Sequence, residues 1–127
     1  MKISGSGQEW IVDAFGCHVS TLTDQKTLQS LFDLIVREVG LHPIGKAQWH
    51  RFPVTHGYTG FWMLSESHLA LHTFPEYESI CLNLFCCKPR EEWDWESAIR
   101  SILKCDKVRI RKVDREYGPP SLKERAC

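Results

Sequence analysis

Apolar residues recur at helical spacing in two separate segments of the chain. Five apolar side chains between Leu28 and Val39 are spaced three or four positions apart, and Gly40 follows them as a stop signal. A second stripe starts near Asp94 and continues from Trp95 at the same spacing. Because residues three and four apart share one side of a helix, the pattern predicts two helices that each bury a single face.

Elsewhere the apolar segments are short and rich in β-branched and aromatic residues, which is typical of strands. The predicted strands are residues 10–15, 46–52, 59–64, 68–74, 79–87 and 107–114. The element order is therefore β-α-β-β-β-β-α-β. Consecutive strands with brief connections favour antiparallel pairing. The sequence thus predicts an α+β fold, a two-layer α/β sandwich in which an antiparallel sheet carries both helices on one face.

The second face of that sheet is also expected to be covered. Trp62, Phe85 and their neighbours make both sides of the central strands apolar, and such a face favours contact with another subunit. We therefore expect a homo-oligomer. The chain is long enough for a single domain over residues 1–127. Its end, residues 118–127, is expected to be a mobile tail because prolines and mixed charges dominate it.

Composition argues against several classes of partner. Sixteen Lys and Arg balance sixteen Asp and Glu, so no basic surface is expected to bind nucleic acid or an anionic membrane. No apolar segment approaches the roughly 20 residues of a membrane span. The first residues lack the apolar stretch of a secretory signal, so we expect a cytoplasmic protein whose six cysteines are free thiols. No Cys-x-x-Cys spacing occurs, and no metal is predicted.

One segment carries a chemical signature. Residues 64–76 read Leu-Ser-Glu-Ser-His-Leu-Ala-Leu-His-Thr-Phe-Pro-Glu. This segment resembles the self-processing segment of bacterial and archaeal S-adenosylmethionine decarboxylases. The family pattern is Glu-Ser-His, an apolar residue, any residue, an apolar residue, then His-Thr, an aromatic residue and Pro-Glu. The resemblance extends over residues 9–117 and includes Phe15-Gly16-Cys17, His50-Arg51-Phe52, Thr59-Gly60 and the strand that ends in Cys87.

The resemblance implies that the chain cuts itself. A hydroxyl directly after a peptide carbonyl can attack it if the fold strains the bond and stabilises the oxyanion. Ser67 is the implied attacking residue, and the cut is implied between Glu66 and Ser67, which leaves Ser67 as a pyruvoyl group. The cofactor is then made from the protein, without pyridoxal phosphate or a metal. His72 is the implied processing base, and Thr59 supplies a hydroxyl that assists the cut.

The resemblance also implies how a small-molecule substrate is decarboxylated. The pyruvoyl carbonyl forms a Schiff base with the amine of S-adenosylmethionine and accepts the electron pair as carbon dioxide leaves. Cys87 is the implied proton donor to the decarboxylated carbon. Phe52 and Phe74 resemble aromatic contacts to adenine, and Glu76 a polar contact to the nucleoside. The product serves spermidine synthesis, and the enzyme is expected to be a dimer of cleaved protomers.

Departures from the family pattern leave other functions open. The family commonly has Trp, Ser and Glu at the positions of Phe74, Thr59 and Asp13. Residues 53–58 also differ from the loop that the family usually has after Arg51-Phe52. On the same scaffold, a pyruvoyl enzyme could decarboxylate ornithine or arginine instead. A third hypothesis is a non-catalytic relative that binds a ligand and is never cut. A more remote fourth is a hydrolase that uses Cys87 and His72.

Strand alternation gives an internal test of these assignments. Along residues 79–87 the side chains of Cys86 and Cys87 point to opposite faces, so only one of the two thiols can face a site. The same rule places Ser67 and His72 on opposite faces of an unbroken strand. We therefore expect the regular strand to begin after Ser67 or to bend there. Without the family, these residues are explained as a polar turn, a buried histidine and core cysteines.

Overall fold

The computed structural model describes residues 5–119. Its strands are β1 (Ser6–Phe15), β2 (Gln48–Arg51), β3 (Tyr58–Leu64), β4 (Ser67–Phe74), β5 (Ser79–Cys86) and β6 (Lys107–Glu116). Its α-helices are α1 (Val19–Leu22), α2 (Gln25–Val39) and α3 (Trp95–Leu103). A short 3-10 helix, Pro75–Tyr77, joins β4 to β5.

Polar caps and a left-handed glycine set the ends of the longer helices. Asp24 begins α2 by accepting hydrogen bonds from the backbone N–H and the hydroxyl of Thr27. Gly40 ends α2 in the left-handed conformation, at φ 81°. Asp94 begins α3 in the same manner through Ser97. Both predicted helices are confirmed at the places where their apolar stripes lie.

The six strands of the described residues form one antiparallel sheet, in the order β2-β3-β4-β5-β1-β6. β1 therefore lies between β5 and β6, so the first strand of the chain separates two late ones. The two-residue turn Ser65-Glu66 joins β3 to β4, and cross-strand pairing places Leu64 opposite Ser67 and Thr59 opposite His72. The predicted α+β fold with an antiparallel sheet is confirmed.

The helices cover one face of this sheet. Leu69 and Leu71 of β4 are fully buried and pack in a single core with Leu31 and Phe32 of α2. The alternate residues of the central strands point away from that core. They form what we term the open face, which consists of Thr59, Phe61, Met63, His68, Ala70, His72, Phe74, Cys81, Asn83 and Phe85.

Two features differ from the sequence predictions. The helix α1 was not predicted, because a single turn is too short to show a helical period, yet its Leu22 is fully buried. Trp62 lies on the helix-covered face, where its indole N–H donates to the Gly45 carbonyl at 3.0 Å, while Phe85 lies on the open face, so both sides of the central strands carry apolar residues as predicted. β4 begins at Ser67 itself and is paired on both sides there. The expected break after Ser67 is therefore wrong.

Other expectations concern the chain ends and the cysteines. Most of the predicted tail at residues 118–127 lies outside the described residues, as does Cys127. The remaining five cysteines are free thiols. None of the helices in residues 5–119 is long and apolar enough to cross a membrane. Within the same residues, no cluster of three or more His, Cys, Asp or Glu side chains could hold a metal ion.

Candidate active site

The bond between Glu66 and Ser67 lies at the end of the β3–β4 hairpin. Ser67 is the first residue of β4 and pairs with Leu64 on one side and Cys86 on the other. The backbone N–H of Cys87 donates a hydrogen bond of 2.9 Å to the carbonyl oxygen of Glu66. A hydroxyl at position 67 would attack this carbonyl. An oxyanion formed there would already have one backbone donor.

The Ser67 side chain faces the helix-covered side of the sheet. Ser67 is the cross-strand partner of Cys86, whose side chain is fully buried. Burial raises the pKa of the Cys86 thiol, although the neighbouring Arg90 and Ser67 oppose that shift. Cys86 is therefore a neutral core thiol at pH 7. It is the member of the cysteine pair that contacts Ser67.

Cys87 follows β5 directly and is half-buried. Because Cys86 points into the core, alternation assigns the Cys87 side chain to the open face. The Tyr117 hydroxyl donates a hydrogen bond of 2.8 Å to the Cys87 carbonyl, while the Cys87 N–H is bonded to Glu66. The backbone of Cys87 is thus held on both sides beside the hairpin. We term Glu66, Ser67 and Cys87 the hairpin group.

Thr59 and His72 face each other across the β3–β4 ladder. The Oγ1 atom of Thr59 lies 3.0 Å from Nδ1 of His72. Both side chains belong to the open face, and His72 is exposed. With the ring proton on Nε2, the Thr59 hydroxyl donates to Nδ1. The two residues to which the resemblance gives processing roles therefore form one hydrogen-bonded pair.

An apolar cavity of about 300 Å³ lies at the same end of β4. The loop after β2 closes on itself, because the Phe52 N–H donates to the Gly57 carbonyl at 2.8 Å. The Tyr58 N–H ties this loop to β4 through the Thr73 hydroxyl at 2.9 Å. The cavity is lined by Phe52, Pro53, Val54, Thr55, Thr73, Phe74 and Glu76. The three residues predicted to contact a nucleoside thus surround one cavity.

We term Thr59, His72, Phe52, Phe74 and Glu76 the pocket group. Within one copy of the chain, the pocket group and the hairpin group lie at opposite ends of β4. Ser67 and His72 are five residues apart on β4, which corresponds to about 17 Å at roughly 3.3 Å per residue. They also point to opposite faces of the sheet. A base must come within about 3 Å of the proton that it removes, so His72 does not reach Ser67 of its own chain.

Aromatic rings line the open face near the hairpin. His68 stacks between Phe61 and Phe85, with ring centroids 5.9 and 5.6 Å away. The Arg115 guanidinium lies 5.6 Å from the centre of the Phe85 ring. Phe61 and Met63 remain 40% and 52% exposed. This face therefore presents apolar surface that another protein surface could cover.

Sequence reasoning missed the contacts made by two basic residues beyond β5. The Lys88 ammonium lies 3.0 Å from the Glu66 carboxylate, but both side chains are largely exposed and the pair contributes little to stability. The charge of Arg90 acts on the Cys86 thiol, whose pKa it lowers against the larger effect of burial. Residues in an irregular segment carry no periodic signal. Only the pairing of β4 with β5 shows that they lie beside Ser67.

Comparison with known proteins identifies the family. The S-adenosylmethionine decarboxylase family matches residues 8–116. The chain is similar to the S-adenosylmethionine decarboxylase proenzymes of Syntrophomonas wolfei, at 28% identity over 86% of each chain, and of Moorella thermoacetica, at 28% identity over 90% of each.

The fold also has a counterpart among solved structures. It is similar to the crystal structure of the adenosylmethionine decarboxylase from Aquifex aeolicus, with a TM-score of 0.73, 19% identity and coverage of 92% of this chain and 96% of that one. At that identity the likeness concerns the fold alone. The family match carries more, because it spans almost all described residues and contains both the hairpin group and the pocket group. The chain therefore belongs to the S-adenosylmethionine decarboxylase family.

Proposed function

We propose that this chain is a proenzyme that cuts itself between Glu66 and Ser67 and then decarboxylates S-adenosylmethionine. The observation that carries the proposal is the 2.9 Å hydrogen bond from the Cys87 N–H to the Glu66 carbonyl. One backbone donor to an oxyanion is worth about 10²–10³-fold in rate in other enzymes. Membership of the family supports the same reaction.

The cut follows from the chemistry of a hydroxyl beside a polarised amide. The Ser67 oxygen adds to the carbonyl carbon of Glu66, the C–N bond breaks, and an ester joins the two residues. A base then removes the proton from Cα of residue 67, which expels the Glu66 carboxylate from Cβ and ends the first fragment. Water replaces the nitrogen of the remaining dehydroalanine and ammonia leaves. Residue 67 is then a pyruvoyl group.

A pyruvoyl group at position 67 supplies a ketone that condenses with a substrate amine and withdraws electrons as carbon dioxide leaves. The residues around position 67 fit this use. Cys87 belongs to the open face and its backbone is bonded to Glu66, so its thiol can return a proton on the side where substrate enters. Cys86 points into the core, where burial raises the pKa of its thiol and disfavours the thiolate.

Each active site is completed by a second copy of the chain. A two-fold axis near the middle of β4 exchanges the two ends of that strand. A second copy packed on the open face then brings its His72 and Thr59 level with the first copy's Ser67. The bond between Glu66 and Ser67 lies in the plane of the sheet, at the hairpin end of β4. Side chains that the second copy presents to the open face can therefore reach this bond. Phe61 and Met63 supply apolar surface for this contact.

The pocket group suits the nucleoside part of the substrate. Two phenyl rings, those of Phe52 and Phe74, line the cavity of about 300 Å³. In other proteins a nucleic-acid base stacks on an aromatic side chain with about 1–3 kcal/mol. The Glu76 carboxylate can accept hydrogen bonds from ribose hydroxyls. Ornithine and arginine carry no aromatic ring, so this cavity favours S-adenosylmethionine.

Intact-mass spectrometry tests the cut. Purified protein is expected to resolve into residues 1–66 and a fragment that starts at position 67 and is blocked to Edman degradation. Ser67→Ala is expected to stay whole, and Lys88→Ala, a matched change in an exposed neighbour, is expected to cut normally. A folded wild-type protein that remains at full mass and does not react with hydrazines would refute the proposal.

Release of labelled carbon dioxide tests the substrate. We expect turnover of carboxyl-labelled S-adenosylmethionine and none of ornithine or arginine at equal concentration. Phe74→Ala is expected to raise KM, because it removes one wall of the cavity. Turnover of ornithine or arginine alone would assign the scaffold to a basic amino acid instead.

A further inference from the structure

Two buried cysteines outside the active site face each other. The Sγ atom of Cys17, just after β1, lies 2.9 Å from that of Cys105, between α3 and β6. Their side chains are only 2% and 8% exposed. A disulfide bond is about 2.05 Å long, so the sulfurs must approach by only about 0.9 Å to form one.

The backbone holds these two cysteines opposite each other. The Asp106 N–H donates to the Phe15 carbonyl at 3.0 Å, and the His18 N–H donates to the Leu103 carbonyl at 3.2 Å. Each of these four residues lies within two positions of Cys17 or Cys105. The two segments are thus tied together on both sides of the sulfur pair, and these hydrogen bonds keep the two sulfurs next to each other.

Cys105 is the more accessible thiol of the pair, at 8% exposure against 2% for Cys17. An oxidant therefore meets the Cys105 sulfur first. The charge of Arg100 favours the same order, because the hydrogen bond with Cys17 and Arg100 lower the pKa of the Cys105 thiol, although burial and Asp106 oppose the shift. The thiolate is the nucleophile in thiol oxidation.

We propose that Cys17 and Cys105 form a reversible disulfide on exposure to a hydroperoxide, and that this bond joins the two fragments of the processed protein. The Cys105 sulfur attacks the peroxide, an S–O bond forms, the O–O bond breaks, and an alcohol or water leaves. The Cys17 sulfur then attacks that of Cys105, the S–S bond forms and water leaves. The two thiols lose two hydrogens, and the peroxide is reduced.

The topology gives this bond a structural consequence, which rests on the proposed cut between Glu66 and Ser67. The cut assigns β1, α1, α2, β2 and β3 to one fragment and the remaining elements to the other. β1 of the first fragment then lies between β5 and β6 of the second. Cys17 is the only cysteine in residues 1–66. Any disulfide between the fragments must therefore use Cys17, and Cys105 is the sulfur in contact with it.

Electrophoresis without reductant tests the proposal. Purified protein is treated with hydrogen peroxide, alkylated with iodoacetamide and compared with and without dithiothreitol. We expect the two fragments to migrate as one species that separates on reduction. Cys17→Ser and Cys105→Ser are expected to abolish the linked species. The matched changes Cys81→Ser and Cys127→Ser are expected to leave it intact.

Peptide mapping of the same samples tests for the disulfide independently of the cut between Glu66 and Ser67. Ser67→Ala, expected to be a single chain, should yield the same Cys17–Cys105 linked peptide, two hydrogens lighter than its parts. If the wild-type protein is never cut, the proposed function fails, but the presence or absence of the linked peptide still shows whether the disulfide forms. Alkylation of both cysteines after peroxide treatment, or a linked species that survives Cys105→Ser, would overturn the inference. Because the map is read on wild-type protein as well, a variant that misfolds does not obscure the result.

Discussion

Two single substitutions can show whether the site is shared between subunits. Ser67→Ala removes the attacking hydroxyl, and His72→Ala removes the ring bonded to Thr59, so each variant alone is expected to stay whole. Within one chain the two positions are about 17 Å apart along β4, whereas a base acts over about 3 Å. In a mixed dimer, the His72→Ala chain keeps its own Ser67 and receives His72 from the Ser67→Ala chain.

Random pairing sets the expected amount of cleavage. With equal expression, about half of the His72→Ala chains pair with a Ser67→Ala chain and are cut, and no Ser67→Ala chain is cut. The two chains carry tags of different mass, and intact-mass spectrometry measures the cut fraction of each. The control partner carries both Ser67→Ala and His72→Ala, which offers no His72 and should leave every chain whole. The shared site would be refuted if the two chains co-purify but the cut fraction of the His72→Ala chain is no higher than when that chain is expressed alone.

Four further outcomes follow from single contacts. Cys87→Ala should retain cleavage but lose most decarboxylation or release a wrongly protonated product, and unchanged turnover would remove its role as proton donor. Thr59→Val should slow cleavage about 3- to 10-fold through the lost hydrogen bond, while Thr59→Ser should not; equal rates would show that the hydroxyl is unused. Gly60→Ala should lower the free energy of unfolding by about 1–3 kcal/mol in urea titrations, because an added Cβ would overlap the Trp49 ring. The side-chain hydrogen bond to Asp24 lowers its pKa, so its stabilisation is present above the ordinary aspartate range and is lost as pH falls through the folded-state value. Asp24→Ala should therefore reduce Tm at pH 7, and melts that differ equally at acid pH would contradict this.

Local patterns along the chain were sufficient to predict most of the fold. The apolar stripe that ends at Gly40 identified α2, because residues three and four apart must share a buried side and a left-handed glycine stops the helix. Alternation along residues 79–87 predicted that only one thiol of the pair Cys86 and Cys87 can face a site, and Cys86 is the one that is fully buried. These features depend on neighbours within a few positions, so a single sequence contains them. The one-turn helix α1 escaped prediction because its order comes from packing.

The sequence by itself determined which residues are candidates for the chemistry, since the Glu66-Ser67-His68 motif and its flanking residues are contiguous or periodic. Only the tertiary structure decided where those residues stand. Strand pairing placed the Cys87 N–H on the Glu66 carbonyl, directed Ser67 towards Cys86 and left His72 at the far end of β4. It also brought Cys17 within reach of Cys105, 88 residues later. Contacts of that range depend on register and topology, which no local spacing encodes.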